Sequence, residues 1–516
     1  MDDTGNSNES KDTGQPEPES NGALQESREP VVAKPSVERN LLTRRLNTSY
    51  VRGKVVSIAD RCSRSLKQPQ RAFLLIGVVF GLLMLLFNPP LRVNDEHITL
   101  FKSYSVSGGH FTAERMGSAA GSLIPKSYEK TVEQLKLIPN GDYKLRVKDI
   151  ELALKIPLKN NDRFFINYSS WAILTYSPIN FVPQALGVEI GKLFNLSPVI
   201  HIYLGRIFNL LLWLFLSYLA ILVTPIHKWV FFLLCLMPKV VNLAASLSAD
   251  SITIALIFLT IAYFLKLALD DSVKSISRRQ LFFIFLLAFL LSLAKPLSSL
   301  LLLLFLMVPS KKFGGKKKYA VVFTLLLLFA VFVFAGWSVL GMGGATHFDK
   351  TISPSAQLKF MVTHPFAFTE VFLRTIRRAK QVWVFGITGE LGWGQILLPI
   401  YFVYIFYFIL IAVAALDKDD RILLKARQKA VALLTIVVYC SSLLVLSYLE
   451  NSPVKDMFIQ GIQPRYFIPI LPLFLLLFYN QAIKYRKGKY FYVSILTFIL
   501  LVMVITIVKI ATYYYL

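Results

Sequence analysis

Apolar runs near the length that crosses a hydrocarbon core recur along this chain, from the stretch beginning at Ala72 to one ending near residue 512. In hydrocarbon the backbone has to satisfy its own polar groups, and a helix does so within one segment. The 516 residues, 55% of them hydrophobic, therefore read as an all-α, polytopic integral membrane protein. A formal charge of +25 would point to nucleic acid in a soluble chain. Here the lysines and arginines sit in short clusters between apolar runs, where positive-inside sorting places them, and nucleic acid is set aside as a partner. Cys62, Cys235 and Cys440 show neither a disulfide framework nor metal-ligand spacing.

Three regions follow from composition. Residues 1–38 are rich in Asp, Glu, Ser, Asn, Pro and Gly with few large apolar side chains, and read as a disordered acidic cytoplasmic tail. Residues 39–71 reverse the sign with Arg39, Arg44, Arg45, Arg52, Lys54, Arg61, Arg64, Lys67 and Arg71, a basic juxtamembrane segment suited to anionic lipid. Residues 72–512 form the membrane domain. No small-residue cleavage site follows the first apolar run, which is read as a retained span rather than a signal peptide.

With the N-terminus cytoplasmic, the first run, 72–87, exits and residues 88–198 form a long first outer loop. Alternation then gives spans at about 199–223, 228–247, 251–269, 281–294, 297–308, 319–340, 394–416, 430–449, 466–482 and 490–512, eleven in all with the first, and an extracytoplasmic C-terminus. A second large outer loop covers 341–393. The loops called inner carry the basic clusters around Arg278 and Arg279, Lys316 to Lys318, Lys425 to Lys429 and Lys484 to Lys489, while the short outer turns are nearly bare. In "LAKPLSS", Lys295 and Pro296 mark a turn between two short helices. "YSPINFVPQALGVEIGKLF" reads as helices on the outer surface rather than a span.

The chemistry-bearing candidates cluster at the outer edge. "NDEH" places Asp95, Glu96 and His97 just beyond the first span. Asp95 is suited to accept a proton from an acceptor hydroxyl, Glu96 to orient its neighbour and His97 to hydrogen-bond a phosphate, whereas the plain alternative is a solvated cap at a helix start. Should a divalent metal take part, Asp95 and Glu96 are its candidate ligands, although no spacing demands one. "FLRTIRRAKQVW" aligns Arg374, Arg377 and Arg378 at i, i+3 and i+4, suited either to phosphate or to lipid headgroups. Arg465 stands at the mouth of a span, suited to bind phosphate bidentately or to pair with Asp456 or Glu450. Lys295, deeper in the membrane domain, is costly to leave idle. Asp250 opens a span, where a helix cap is the simpler role and a substrate hydroxyl the sharper one. Glu390 lies among glycines in "GITGELGWGQ", a setting for close backbone approach to a ligand or for a tight turn. Walker, Rossmann, HExxH and GxSxG patterns do not occur.

Taken in order, "VNDEHITLFKSYSVSGGHF", "YSPINFVPQALGVEIGKLF", "YLGRIFNLLLW", "SLSADSITIALIFL", "HPFAFTEVFLRTIRR", "GELGWGQILLP" and "GIQPRYFIPILPL" resemble a family of bacterial polytopic membrane proteins known as a domain of unknown function. That family in turn resembles the C-type (GT-C) glycosyltransferases. The resemblance implies a GT-C-like fold in the cytoplasmic membrane, a polyprenyl-phosphate-linked sugar as donor, and a catalytic acid in the first outer loop. Asp95 and Glu96 match the acidic pair, and Arg374, Arg377, Arg378 and Arg465 match loosely the basic residues directed at donor phosphate, with Lys295 added on the strength of its depth. His97, Asp250 and Glu390 are the candidates for other substrate contacts. The large C-terminal domain of many relatives is missing, which suits an acceptor already in the membrane plane, a lipid-linked or wall glycan. Two other functions compete: a transporter or flippase of lipid-linked saccharide, and a non-catalytic part of a wall-polymer assembly complex. A transporter should distribute polar residues through its spans, whereas here most charge outside the inner clusters lies at the outer edge.

Overall fold

Pro69 occupies the first turn of the first long helix, Pro69–Phe87, where a missing N–H costs nothing. The computed structural model describes residues 66–117, 119–136, 145–168, 173, 176–342, 351–485 and 487–516. The acidic tail 1–38, the basic segment up to residue 65 with Cys62, and residues 343–350 of the expected second loop lie outside the described residues.

Among the described residues six helices are long and apolar enough to cross a membrane: Pro69–Phe87, Pro198–Val223, Asp250–Leu269, Lys316–Gly341, Ala426–Asn451 and Lys489–Tyr515. Of the eleven spans expected from sequence, the others are shorter or broken helices, such as Ile400–Leu416, and the breaks have local causes. The expected span 228–247 is two short helices, Lys228–Cys235 and Pro238–Ala244, because Pro238 cannot continue the first. From Trp229 to Cys235 and from Pro238 to Ala244 every side chain is buried, so the broken pair packs inside the helical assembly. Residues 278–308 divide into the helix Arg278–Ala294 and the 3-10 helix Ser298–Met307, joined across Lys295 and Pro296, as the sequence leads one to expect. Residues 464–476 begin as a 3-10 turn with Pro469 inside it and continue as the short helix Leu471–Leu476.

Packing of the first helix against Pro198–Val223 depends on Gly77 and Gly81, four residues apart on one face. A Cβ on either would lie 2.8–2.9 Å from Leu210 or Leu214, so the small residues set how closely the helices approach.

The connection between these two helices is not purely helical, which corrects the all-α expectation. It contains a three-stranded antiparallel sheet, β1 (Glu114–Met116), β2 (Ala119–Pro125) and β3 (Arg163–Asn167), in that spatial order. Gly121 of β2 faces both Glu114 and Asn167, and Pro125 pairs with Arg163. Leu100, Phe101, Ile124, Tyr128 and Val188 form a core of its own under this sheet, continued by Val199 and Ile202 from the long helix. The stretch after Tyr176 forms a 3-10 turn at Pro178–Asn180 and the helix Val182–Leu193, as expected of a helical surface segment.

Candidate active site

The site is assembled around the start of the helix Glu96–Ser107. Asp95 precedes it with φ +62°, in the left-handed region that an aspartate tolerates better than most residues. It stands at the N-cap position, but its side chain makes no capping bond. Instead its carboxylate accepts a hydrogen bond from Arg465 Nη2, and it remains 42% exposed while Arg465 is 5% exposed.

Glu96, the next residue, faces the interior. Arg206 Nε and Nη2 donate to its two oxygens at 2.8 and 2.7 Å, and Leu247 N adds a third bond at 3.0 Å. Both side chains of this ion pair are fully buried. Arg206 also donates to the carbonyls of Asn88 at 2.7 Å and Pro89 at 2.9 Å, satisfying the chain just after the first long helix. Glu96 therefore anchors the turn that carries Asp95 and does not share a ligand with it. The two expected halves of an acidic pair are bound by different arginines, and among the described residues no group of three or more His, Cys, Asp or Glu is arranged to hold a metal ion.

Asp250 is the second carboxylate in contact with Arg465. It is the first residue of the helix Asp250–Leu269 and makes no capping bond, which corrects the simpler role expected for it. One oxygen pairs with Lys295 Nζ and the other lies 2.7 Å from Arg465 Nε. The latter is a close charge contact rather than an aligned hydrogen bond, because the Nε–H is not aimed at the oxygen. Lys295, at the end of the helix Arg278–Ala294, extends between the rings of Tyr176 and Tyr466, each 5.1 Å from its ammonium. Arg465 Nη1 is buried and has no hydrogen-bond partner among the described residues. A buried guanidinium N–H without a partner is expensive, and it is a donor in reserve for an anion.

These groups line one cavity of about 280 Å³ with Asn94, Thr99, Tyr176 and Tyr439. Burial pushes the Tyr176 hydroxyl up to about 12, so it stays a neutral donor at physiological pH. Glu450 lines the same cavity from the last turn of Ala426–Asn451, and unlike Asp95 and Asp250 it has no ion pair among the described residues. In the sequence Glu450 entered only as an alternative partner for Arg465. A carboxylate at the end of an apolar span was the available signal for more. Lys239 was also missed: it is buried, its Nζ lies 3.5 Å from Asn94 Oδ1, and Asp95, Asp250 and Glu390 all act on its charge.

The other candidates lie elsewhere. His97 packs its ring 5.8 Å from that of Trp393, its Nδ1 and the Trp393 Nε1 both buried without partners among the described residues. Burial holds the His97 pKa below the ordinary value, outweighing the opposing pull of Asp95 and Glu96. Glu390 begins a two-stranded turn with Ile396 and Leu397, closed through Gly392 at φ +60° and Gly394 at φ +98°, so the glycine-rich stretch is a tight turn. Arg374, Arg377 and Arg378 are not brought to Asp95. Their helix, Pro365–Gly389, turns Val371 and Thr375 inward, where Thr375 Oγ1 accepts a bond from Ile459 N at 3.0 Å, and the arginines line a separate groove that includes Phe458.

A family model described as "Predicted membrane protein (DUF2142)" matches residues 78–474. No curated protein matches the chain, and no solved structure matches it.

Proposed function

The protein belongs to the predicted-membrane-protein family DUF2142, and from that footing we propose that it is a GT-C-type glycosyltransferase moving a sugar from a polyprenyl-phosphate donor to a cell-surface or wall glycan. The observation that carries the proposal is the meeting, in one cavity, of a half-exposed carboxylate, Asp95, with two cations, the buried Arg465 and the partly buried Lys295. Glycosyl transfer needs both a base beside the acceptor and positive charge beside the departing phosphate. On this reading the basic clusters lie inside and the cavity at the outer face of the cytoplasmic membrane, with the N-terminus cytoplasmic, the C-terminus outside, and the short and broken helices completing eleven crossings.

In the proposed reaction an acceptor hydroxyl oxygen attacks the anomeric carbon, the bond from that carbon to the phosphate oxygen breaks, and the phosphate leaves with the electron pair. Asp95 takes the hydroxyl proton. Arg465 Nη1 donates to the leaving phosphate, with the Lys295 ammonium adding charge beside it. A phosphate that draws Arg465 toward itself also loosens the pair with Asp95, which frees a carboxylate oxygen to accept the hydroxyl proton when donor is bound.

The test is Asp95→Asn. Donor binding to the purified full chain should survive, while turnover falls by roughly 10²–10⁴, the usual contribution of a positioned base. Cells carrying only this variant should make a surface polymer short of one sugar substituent. A polymer of full mass made at the wild-type rate removes Asp95 as base. Altered passage of lipid-linked saccharide across the bilayer, with every sugar still in place, makes the protein a flippase.

A further inference from the structure

The helix Pro365–Gly389 carries a second basic feature that the cavity does not use. Arg374, Arg377 and Arg378 line a groove of about 670 Å³ with Phe366, Glu370 and Phe458, and no residue of this groove lines the Asp95 cavity. Three guanidiniums face the single carboxylate of Glu370, which pairs with Arg374. Arg378 lies over the Phe458 ring at 4.5 Å, and Arg377 has no ion pair or hydrogen bond among the described residues. The groove is thus cationic and incompletely neutralised.

Its surroundings are apolar and uncovered. Phe366 is 91% exposed, Val362 in the preceding helix Pro354–Thr363 is 72% exposed, and Val382 and Met457 are each more than half exposed. Exposed side chains of this size beside a cationic groove fit a surface that meets acyl chains and phosphates together. A soluble phosphate would leave the apolar rim in water, and an acidic protein would not account for it.

We propose that this groove is a binding site for an anionic phospholipid of the surrounding bilayer, its phosphate between Arg377 and Arg378 and an acyl chain along Phe366. The site is independent of the transferase proposal, since it shares no residue with the cavity.

The experiment is native mass spectrometry of the full-length protein released from vesicles of equal parts phosphatidylcholine and phosphatidylglycerol. Wild-type protein should retain phosphatidylglycerol in preference to phosphatidylcholine. The double variant R377Q/R378Q should lose that preference by roughly tenfold, since two charge-assisted contacts are removed at a partly exposed site. Glu370→Gln should strengthen retention of phosphatidylglycerol, a change of sign that a misfolded variant cannot produce. Equal retention of both lipids by the wild type, or a preference unchanged in R377Q/R378Q and Glu370→Gln, overturns the proposal. So does a polyprenyl phosphate that displaces phosphatidylglycerol and is itself lost in R377Q/R378Q, which would return these arginines to donor binding.

Discussion

Arg465 and Arg377 both looked like phosphate ligands in the sequence, and the fold treats them oppositely. Arg465 is buried between two carboxylates in a cavity with Lys295, whereas Arg377 projects from an amphipathic helix with no ionic partner among the described residues. Burial raises the stakes of every charge in the first setting, because an unpaired ion there has little water to fall back on. In the second, water or lipid headgroups screen the charge and its loss is tolerated. The same residue type is therefore buried and paired in one place and exposed at the surface in the other.

The largest effect should come from the ion pair that supports the cavity. Arg206→Met leaves Glu96 buried without its cation and should destabilise the protein by about 3–5 kcal/mol, the usual cost of breaking a buried pair. Thermal unfolding in detergent measures it. Adding Glu96→Leu should recover a good part of the loss, since two apolar side chains leave no unpaired charge. A Tm unchanged in Arg206→Met would show that the pair does not hold the turn carrying Asp95.

Exchanging the two arginines' roles gives the next largest difference. Arg465→Gln should weaken binding of a polyprenyl-phosphate donor by about 1.5–3 kcal/mol, the contribution of a charge-assisted bond. Arg377→Gln should leave donor affinity unchanged and stability within about 0.5 kcal/mol, as surface substitutions usually do. Equal losses of donor affinity in both variants, measured by titration of purified protein, would erase the distinction between cavity and groove.

The smallest effect concerns pH. Burial depresses the His97 pKa below its ordinary value of 6.5, so as pH falls the unfolded chain takes up the proton first. Stability contributed by the neutral imidazole is complete above about pH 6.5 and declines as pH falls toward the depressed value. His97→Gln should flatten that acid-side decline by about one or two degrees in Tm, read from melts between pH 7.5 and about 5. An identical pH profile in the variant would place His97 in contact with solvent.

Much of the membrane architecture was legible because hydrocarbon imposes a length and a polarity on each segment that sequence reports directly. The long helices from Pro69, Pro198, Asp250, Lys316, Ala426 and Lys489 lie where apolar runs foretell them, and the turn at Lys295 and Pro296 was legible from proline chemistry. The break at Pro238 was not read from the sequence, because the apolar run continues across the proline without a polar residue before Lys239. The small sheet of the first connection was also missed, since its outer strands are only three and five residues long.

For the site, sequence alone determined which charges lie near the ends of apolar runs, and so supplied Asp95, Lys295 and Arg465 as separate candidates and Asp250 chiefly as a helix cap. Only the tertiary structure decided how they are used. Asp95 and Glu96 are neighbours in the chain yet belong to different surroundings, because one helical step turns Glu96 toward Arg206 in the core and leaves Asp95 at the cavity. Arg465, 370 positions further on, becomes the partner of Asp95, and the nearer-looking run of arginines on Pro365–Gly389 does not. Pairing of charges depends on distance and desolvation after folding, and neither is written in the spacing of residues along a chain.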